Sequence, residues 1–191
     1  MRIGLFGGAF NPIHLAHIEL AEAAKKGASL DEIILIPSVS SKDKKIEGAS
    51  NQQRLDMIEL VIVDRPDFQV STIELSKDKF SYTIDTIRQF KKLYPKDELF
   101  YIIGEDQLLD LKNWKGGMDI LNECHFICAT RPGFDSKKIP KRYSDIIIFI
   151  DVGSDISSTE IRDNVKDNKS IEELVDPNVQ LYIKQNKLYV D

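Results

Sequence analysis

The sequence predicts an α/β chain: a doubly wound, Rossmann-like open parallel sheet with helices on both faces and a short helical C-terminal end. Three observations lead there. Short β-branched and aromatic runs alternate with segments of helical apolar spacing. Several of those runs are almost continuously apolar, as strands covered on both faces are. Alternation of this kind implies parallel strands joined by helical crossovers.

The expected strands are Arg2–Phe6, Glu32–Ile36, Phe68–Ile73, Glu98–Ile103, His125–Thr130 and Asp145–Ile150. The first helix, Leu15 to Lys26, sets Leu15, Ile18 and Glu22 at helical spacing, with Gly27 as its expected stop. Ser50-x-x-Gln53 is a capping-box pattern, and Leu55, Ile58 and Ile62 are the expected buried face of the helix it opens. Ser81 precedes a helix whose apolar face is Ile84, Ile87 and Phe90. Ser157-x-x-Glu160 is a second capping box, opening a helix through about Val165, and Val179 to Tyr189 reads as one more short helix. We expect one domain over residues 1–191, its helical C-terminal portion starting near 155. Ligands of such sheets bind beyond the carboxyl ends of the strands. The turns after Phe6, Ile36, Ile103 and Ile150 therefore matter most. Ser38–Ala49, with Lys42, Lys44 and Lys45, is the one long polar connection, readable as a lid or as a solvated loop.

Of the 191 residues, 42% are hydrophobic and 30% charged, which argues against a disordered or membrane-embedded chain. Apolar runs such as Ile146–Ile150 stop at five residues, against the roughly 20 of a membrane span. Met1–Phe6 reads as a strand rather than a signal peptide. Cys124 and Cys128 make no disulfide framework, so reduced thiols and a cytoplasmic location are expected. Twenty-six lysines and arginines against 31 acidic residues give −5, which disfavours nucleic acid as a partner. Small anions held by a few placed cations stay open. A homo-oligomer is compatible with the sequence but not legible in it.

The first turn carries most of the chemistry. Gly7, Gly8, Ala9 and Phe10 leave the first strand, and a helix follows whose first turn sets His14 and His17 on one face. A glycine pair lets backbone approach a ligand closely. Free N–H groups and the positive dipole end favour phosphate, and the same end lowers histidine pKa, so the rings are expected to act as hydrogen-bond donors. The spacing is not the dinucleotide fingerprint G-x-G-x-x-G. An H-x-x-H pair also suits a metal, but the third histidine, His125, lies in a strand, so no protein metal site is expected.

Beyond the last strand, Ile156-Ser157-Ser158-Thr159-Glu160-Ile161-Arg162 crowds three hydroxyls at a helix start with an arginine one turn on. Such a group holds phosphate oxygens, or is a plain cap beside a solvent arginine. Gly104-Glu105-Asp106 ends a strand, placing Asp106 either on a ribose or as a helix cap, and Trp114 either stacks on a heteroaromatic ring or fills core.

In this order the segments resemble the bacterial nicotinate mononucleotide adenylyltransferases, members of the nucleotidyltransferase superfamily marked by G-x-F-[DN]-P-x-H-x-G-H. The resemblance runs through Gly7–His17, Arg54-Leu55-Asp56-Met57, Ser81–Thr86, Ile103–Asp106, Asn113-Trp114, Arg131-Pro132-Gly133, Ile156–Arg162 and the tail Val179–Tyr189. It implies transfer of the adenylyl group of ATP to nicotinate mononucleotide, with pyrophosphate released and Mg2+ carried mainly on the ATP phosphates. It implies that His14, His17 and Arg162 are catalytic. Gly7, Gly8, Ala9, Phe10, Gly104, Asp106, Ile156, Ser158 and Thr159 complete the ATP site. Tyr82, Thr83, Trp114, Lys115, Arg131 and Lys44 would meet nicotinate mononucleotide. Lys44 falls seven residues after Pro37, where the family's lid carries a P-P-H-K lysine. Two departures stand out: Ala16 replaces the glycine of H-x-G-H, and Ser40–Lys44 lacks the lid's prolines and histidine; Asn11 stands in place of aspartate at the [DN] position, which admits either. Alternatives are another adenylyltransferase of the superfamily, acting on phosphopantetheine or nicotinamide mononucleotide, and a non-catalytic nucleotide-binding regulator.

Overall fold

The structure, a computed structural model, describes residues 1–39, 48–75, 82–130, 139 and 141–190. Along them run β1 (Arg2–Gly8), α1 (Leu15–Gly27), β2 (Glu32–Pro37), α2 (Asn51–Ile62), β3 (Phe68–Val70), α3 (Thr83–Leu93) and β4 (Glu98–Gly104). They continue with α4 (Glu105–Asp110), β5 (His125–Thr130), α5 (Lys141–Ser144), β6 (Ile147–Asp151), α6 (Ser158–Lys166) and α7 (Pro177–Gln185). The six strands form one sheet, every pairing parallel, in the order β3-β2-β1-β4-β5-β6. β1 and β4 are the neighbours at which the winding reverses. That is where an open α/β sheet leaves a crevice at its carboxyl edge.

Period-two alternation divides the central strands between two cores. Ile33 and Leu35 of β2, Phe100 and Ile102 of β4 and Ile127 of β5 face one side, with Ile18, Met57, Ile161 and Val179. Ile3 and Leu5 of β1, Ile34 and Ile36 of β2, Leu99 and Ile103 of β4 and Cys128 of β5 face the other, with Ile84, Ile87 and Phe90 of α3. The C-terminal portion thus shares the first core, through Ile161, Ile171, Val175 and Val179. The Tyr182 hydroxyl donates to Asp56 and ties α7 to α2. No described helix is long and apolar enough to cross a membrane.

Several boundaries differ from expectation for local reasons. α1 ends at Gly27, but the left-handed turn falls on Ser29 at φ +50 rather than on the glycine, where a side chain would press on Ile150. β3 ends at Val70 because it pairs only with β2 and turns away once Ser71 N–H has met Leu35 C=O. β6 starts late because α5 closes first, with Asp145 N–H on Lys141 C=O. The last helix starts at Pro177, capped by Asp176, and ends at Gln185, where Lys187 and Tyr189 take positive φ. Ser50 and Gln53 do form their capping box, yet the buried face of α2 is Arg54, Met57, Ile58 and Val61 rather than Leu55, Ile58 and Ile62.

Candidate active site

At the end of β1, Gly7 and Gly8 keep extended backbone inside the strand. Their missing side chains serve neighbours. A Cβ on Gly7 would collide with the Tyr101 hydroxyl, and one on Gly8 would lie 3.0 Å from the Phe10 ring. Phe10 takes φ +46 and is 1% exposed. Its ring meets Phe6 and His17 edge-on at 5.5 and 5.0 Å. Any contact of Phe10 with a ligand would therefore run through its backbone.

His14 is the N-cap of α1 and His17 lies one turn in, their rings stacked at 3.6 Å. The His14 backbone N–H donates to His17 Nδ1 at 3.2 Å, which leaves the His17 proton on Nε2. His14 Nδ1 is buried and has no partner among the described residues. Both rings are held neutral. Burial pushes His14 down to about 4, and burial, then His14 beside it, pushes His17 well below the usual range. The direction matches the sequence expectation, but the leading cause is desolvation rather than the helix dipole.

The last motif folds onto the first. The Ser158 hydroxyl donates to Pro12 C=O at 2.9 Å, and Arg162 Nη1 donates to Asn11 C=O at 2.9 Å. Arg162 Nη2 donates to Thr159 Oγ1 at 3.1 Å, while Ser157 caps the helix by accepting from Glu160 N–H. The N-termini of α1 and α6 are thereby fixed beside each other, with Arg162 only half-buried. Next to them a cleft of about 400 Å³ is lined by His14, Ala16, His17, Gly104, Asp106, Thr130 and Ile156. Gly104 leaves room for the Asp106 carboxylate, which a Cβ would approach to 2.8 Å.

On the other side of the sheet, Tyr82 and Thr83 start α3. Thr83 is in hydrogen-bond contact with the buried Tyr101 hydroxyl, whose pKa burial raises. Lys115 reaches Asp85 at 2.7 Å and stands 4.7 Å over the Tyr82 ring. Trp114, half-buried, packs on the second core, and Gly116 lies against Ile84. Lys44, Arg131 and Ser81 lie outside the described residues.

The cytidylyltransferase-like family profile matches residues 5–164. The chain belongs to the cytidylyltransferase-like family. Within it, a protein of Thermoanaerobacter sp. (strain X514), named "Probable nicotinate-nucleotide adenylyltransferase", is 38% identical over 99% of this chain and 94% of its own length. One of the same name from Carboxydothermus hydrogenoformans is 37% identical over 98% of both. Among solved structures, the Plasmodium falciparum nicotinic acid mononucleotide adenylyltransferase complexed with NaAD superposes with TM-score 0.86 at 22% identity, covering 98% of this chain and 97% of that one.

Sequence reading assigned no role to Arg54, which braces the turns beside this candidate site. Arg54 is fully buried, its guanidinium donating to Ala9 C=O, to Ser38 C=O at 2.7 Å and to Asn51 Oδ1 at 2.8 Å. It staples the turns after β1 and β2 with no carboxylate partner in those bonds, and burial lowers its pKa. The available signal was the capping box, since the helix phase it sets puts Arg54 on the face of Met57, Ile58 and Val61. A charge there reads as solvated unless the two carbonyl ends above it are known.

Proposed function

We propose that this protein transfers the adenylyl group of ATP to nicotinate mononucleotide, giving nicotinate adenine dinucleotide and pyrophosphate for NAD synthesis. The names of its full-length relatives support the substrates. The observation that carries the site is the meeting of the two helix starts, α6 hydrogen-bonded to the turn that opens α1. Two N-termini, two neutral imidazoles and a forked cation suit a triphosphate whose α-phosphorus is attacked while its far end departs.

A phosphate oxygen of the acceptor forms the new P–O bond, and the bond from the α-phosphorus to the bridging oxygen breaks. The nucleophile is already anionic, so no side chain has to be activated, and the work is positioning and charge neutralisation. In this reading His17 donates from Nε2 to the phosphate under attack and His14 sits beside it. Ser158, Thr159 and Arg162 hold the outgoing pyrophosphate. Gly104, Asp106 and Ile156 border the adenosine, and Tyr82, Thr83, Trp114 and Lys115 border the nicotinate nucleotide. Among the described residues no three His, Cys, Asp or Glu side chains group around a metal position. Mg2+ brought in with the triphosphate would supply further charge neutralisation. A reaction that draws on ATP for NAD synthesis fits a cytoplasmic enzyme.

Pyrophosphate release, with ATP and magnesium against a panel of acceptors, tests the reading. Release with nicotinate mononucleotide above all others is expected. Release with phosphopantetheine and none with nicotinate mononucleotide overturns it.

A further inference from the structure

We infer that Tyr189, near the far end of the chain, is a positioning residue for the phosphate site, acting through Asn11 on Arg162. The inference rests on the functional reading above for the identity of the anion.

Asn11 is 5% exposed, and three parts of the fold converge on it. Its amide oxygen accepts from the Tyr189 hydroxyl at 2.8 Å and from Ala49 N–H at 3.3 Å. Its backbone carbonyl accepts from Arg162 Nη1 at 2.9 Å. One buried residue therefore joins the C-terminal tail, the turn before α2 and the cation at the start of α6. The phenol is itself held in place. Tyr189 sits at φ +63, and its ring lies against Gly48, where a Cβ would come within 2.9 Å and where φ is +99. The ring cannot swing that way without moving the turn that also supplies Ala49. Burial raises the phenol pKa, so the hydroxyl keeps its proton and donates.

Arg162 depends on this arrangement more than its own helix suggests. Among the described residues its guanidinium donates to Thr159 on the same helix and to Asn11 C=O. The second bond registers it against the turn holding His14 and His17. Without the phenol donor Asn11 keeps the Ala49 bond but loses its shorter anchor, and the carbonyl that aims the fork is held less firmly. Tyr189 touches no substrate in this scheme; it sets where the cation points.

The test compares the full-length parent with Tyr189→Phe, which keeps the ring and removes only the donor. One lost neutral hydrogen bond corresponds to roughly three- to tenfold. Tyr189→Phe should weaken binding of magnesium pyrophosphate, measured by calorimetry, by about that factor. It should lower kcat similarly, leave KM for nicotinate mononucleotide within about twofold and lower the melting temperature by only about 2–4 °C. In an Arg162→Lys background, which cannot make the same fork, Tyr189→Phe should add less than about twofold. Parental pyrophosphate affinity in Tyr189→Phe overturns the inference. So does a penalty that persists undiminished beside Arg162→Lys, or one shared equally by the nicotinate nucleotide. A parent that binds pyrophosphate but does not turn over nicotinate mononucleotide overturns the acceptor assignment instead, and the binding comparison still decides the role of Tyr189.

Discussion

The two halves of the proposed site are built in opposite ways. The phosphate end is assembled from side chains that bond backbone carbonyls elsewhere in the chain: half-buried Arg162 on Asn11 and Ser158 on Pro12, and fully buried Arg54 on Ala9 and Ser38. The acceptor end is assembled from exposed or half-exposed side chains that hold one another, Lys115 on Asp85 and over Tyr82. Charge that must be aimed at a fixed phosphorus sits where the fold over-determines it. Recognition of the second substrate is left to groups whose removal disturbs little else.

The largest effect expected from this contrast is in His17→Asn. Loss of a positioned donor typically costs on the order of 10²–10³ in rate, so kcat for pyrophosphate release should fall that far. Because the ring also packs on Phe6, Phe10 and His14, a measurable drop in melting temperature should accompany it. Near-parental turnover would return His17 to a packing role.

Arg54→Met should come next. It strips hydrogen bonds from Ala9 C=O, Ser38 C=O and Asn51 Oδ1 in a buried setting, an expected loss of about 3–4 kcal/mol. For a chain of this size that is a melting-temperature drop on the order of 10 °C by calorimetry. A drop of only a degree or two would show that the staple is dispensable.

Acid should also reach the phosphate end first. His14 is neutral in the fold down to about pH 4, whereas the unfolded side chain takes up its proton near 6.5. Its contribution is complete above pH 6.5 and is lost as pH falls toward 4. Denaturant titrations at pH 7 and 4.5 should differ by roughly 2–3 kcal/mol from this group. His14→Gln should flatten that difference.

At the acceptor end the effects should be smaller and more selective. Trp114→Ala should weaken nicotinate mononucleotide binding by about tenfold, a loss of roughly 1.4 kcal/mol, with ATP binding largely unchanged. An equal loss of both, read by calorimetry, would make Trp114 structural. Asp85→Asn removes an exposed ion pair and should change stability by less than about 1 kcal/mol in denaturant titration.

The same contrast explains what could be read from sequence. The doubly wound parallel sheet was legible because strand–helix alternation is a local pattern and the crossover rule is topological, and Ser50, Gln53 and Ser157 signalled their caps directly. His14, His17, Ser158 and Arg162 were legible as residue types at helix starts. That α6 would bond to Asn11 and Pro12 was not, because those contacts join carbonyls that no side-chain pattern marks. Arg54 was hidden for the same reason. The glycine pair carries a constraint the sequence did not show: whatever Gly7 and Gly8 offer a ligand, their bareness is also required by Tyr101 and Phe10.

That last point has an evolutionary corollary. Positions 7 and 101 cannot vary independently, since any side chain at Gly7 contends with the oxygen of Tyr101. An alanine at 7 becomes sterically admissible once the tyrosine gives way to phenylalanine, and Thr83 then loses the hydroxyl it meets. Drift in the glycine motif would therefore register as covariation with the opposite, acceptor-facing helix.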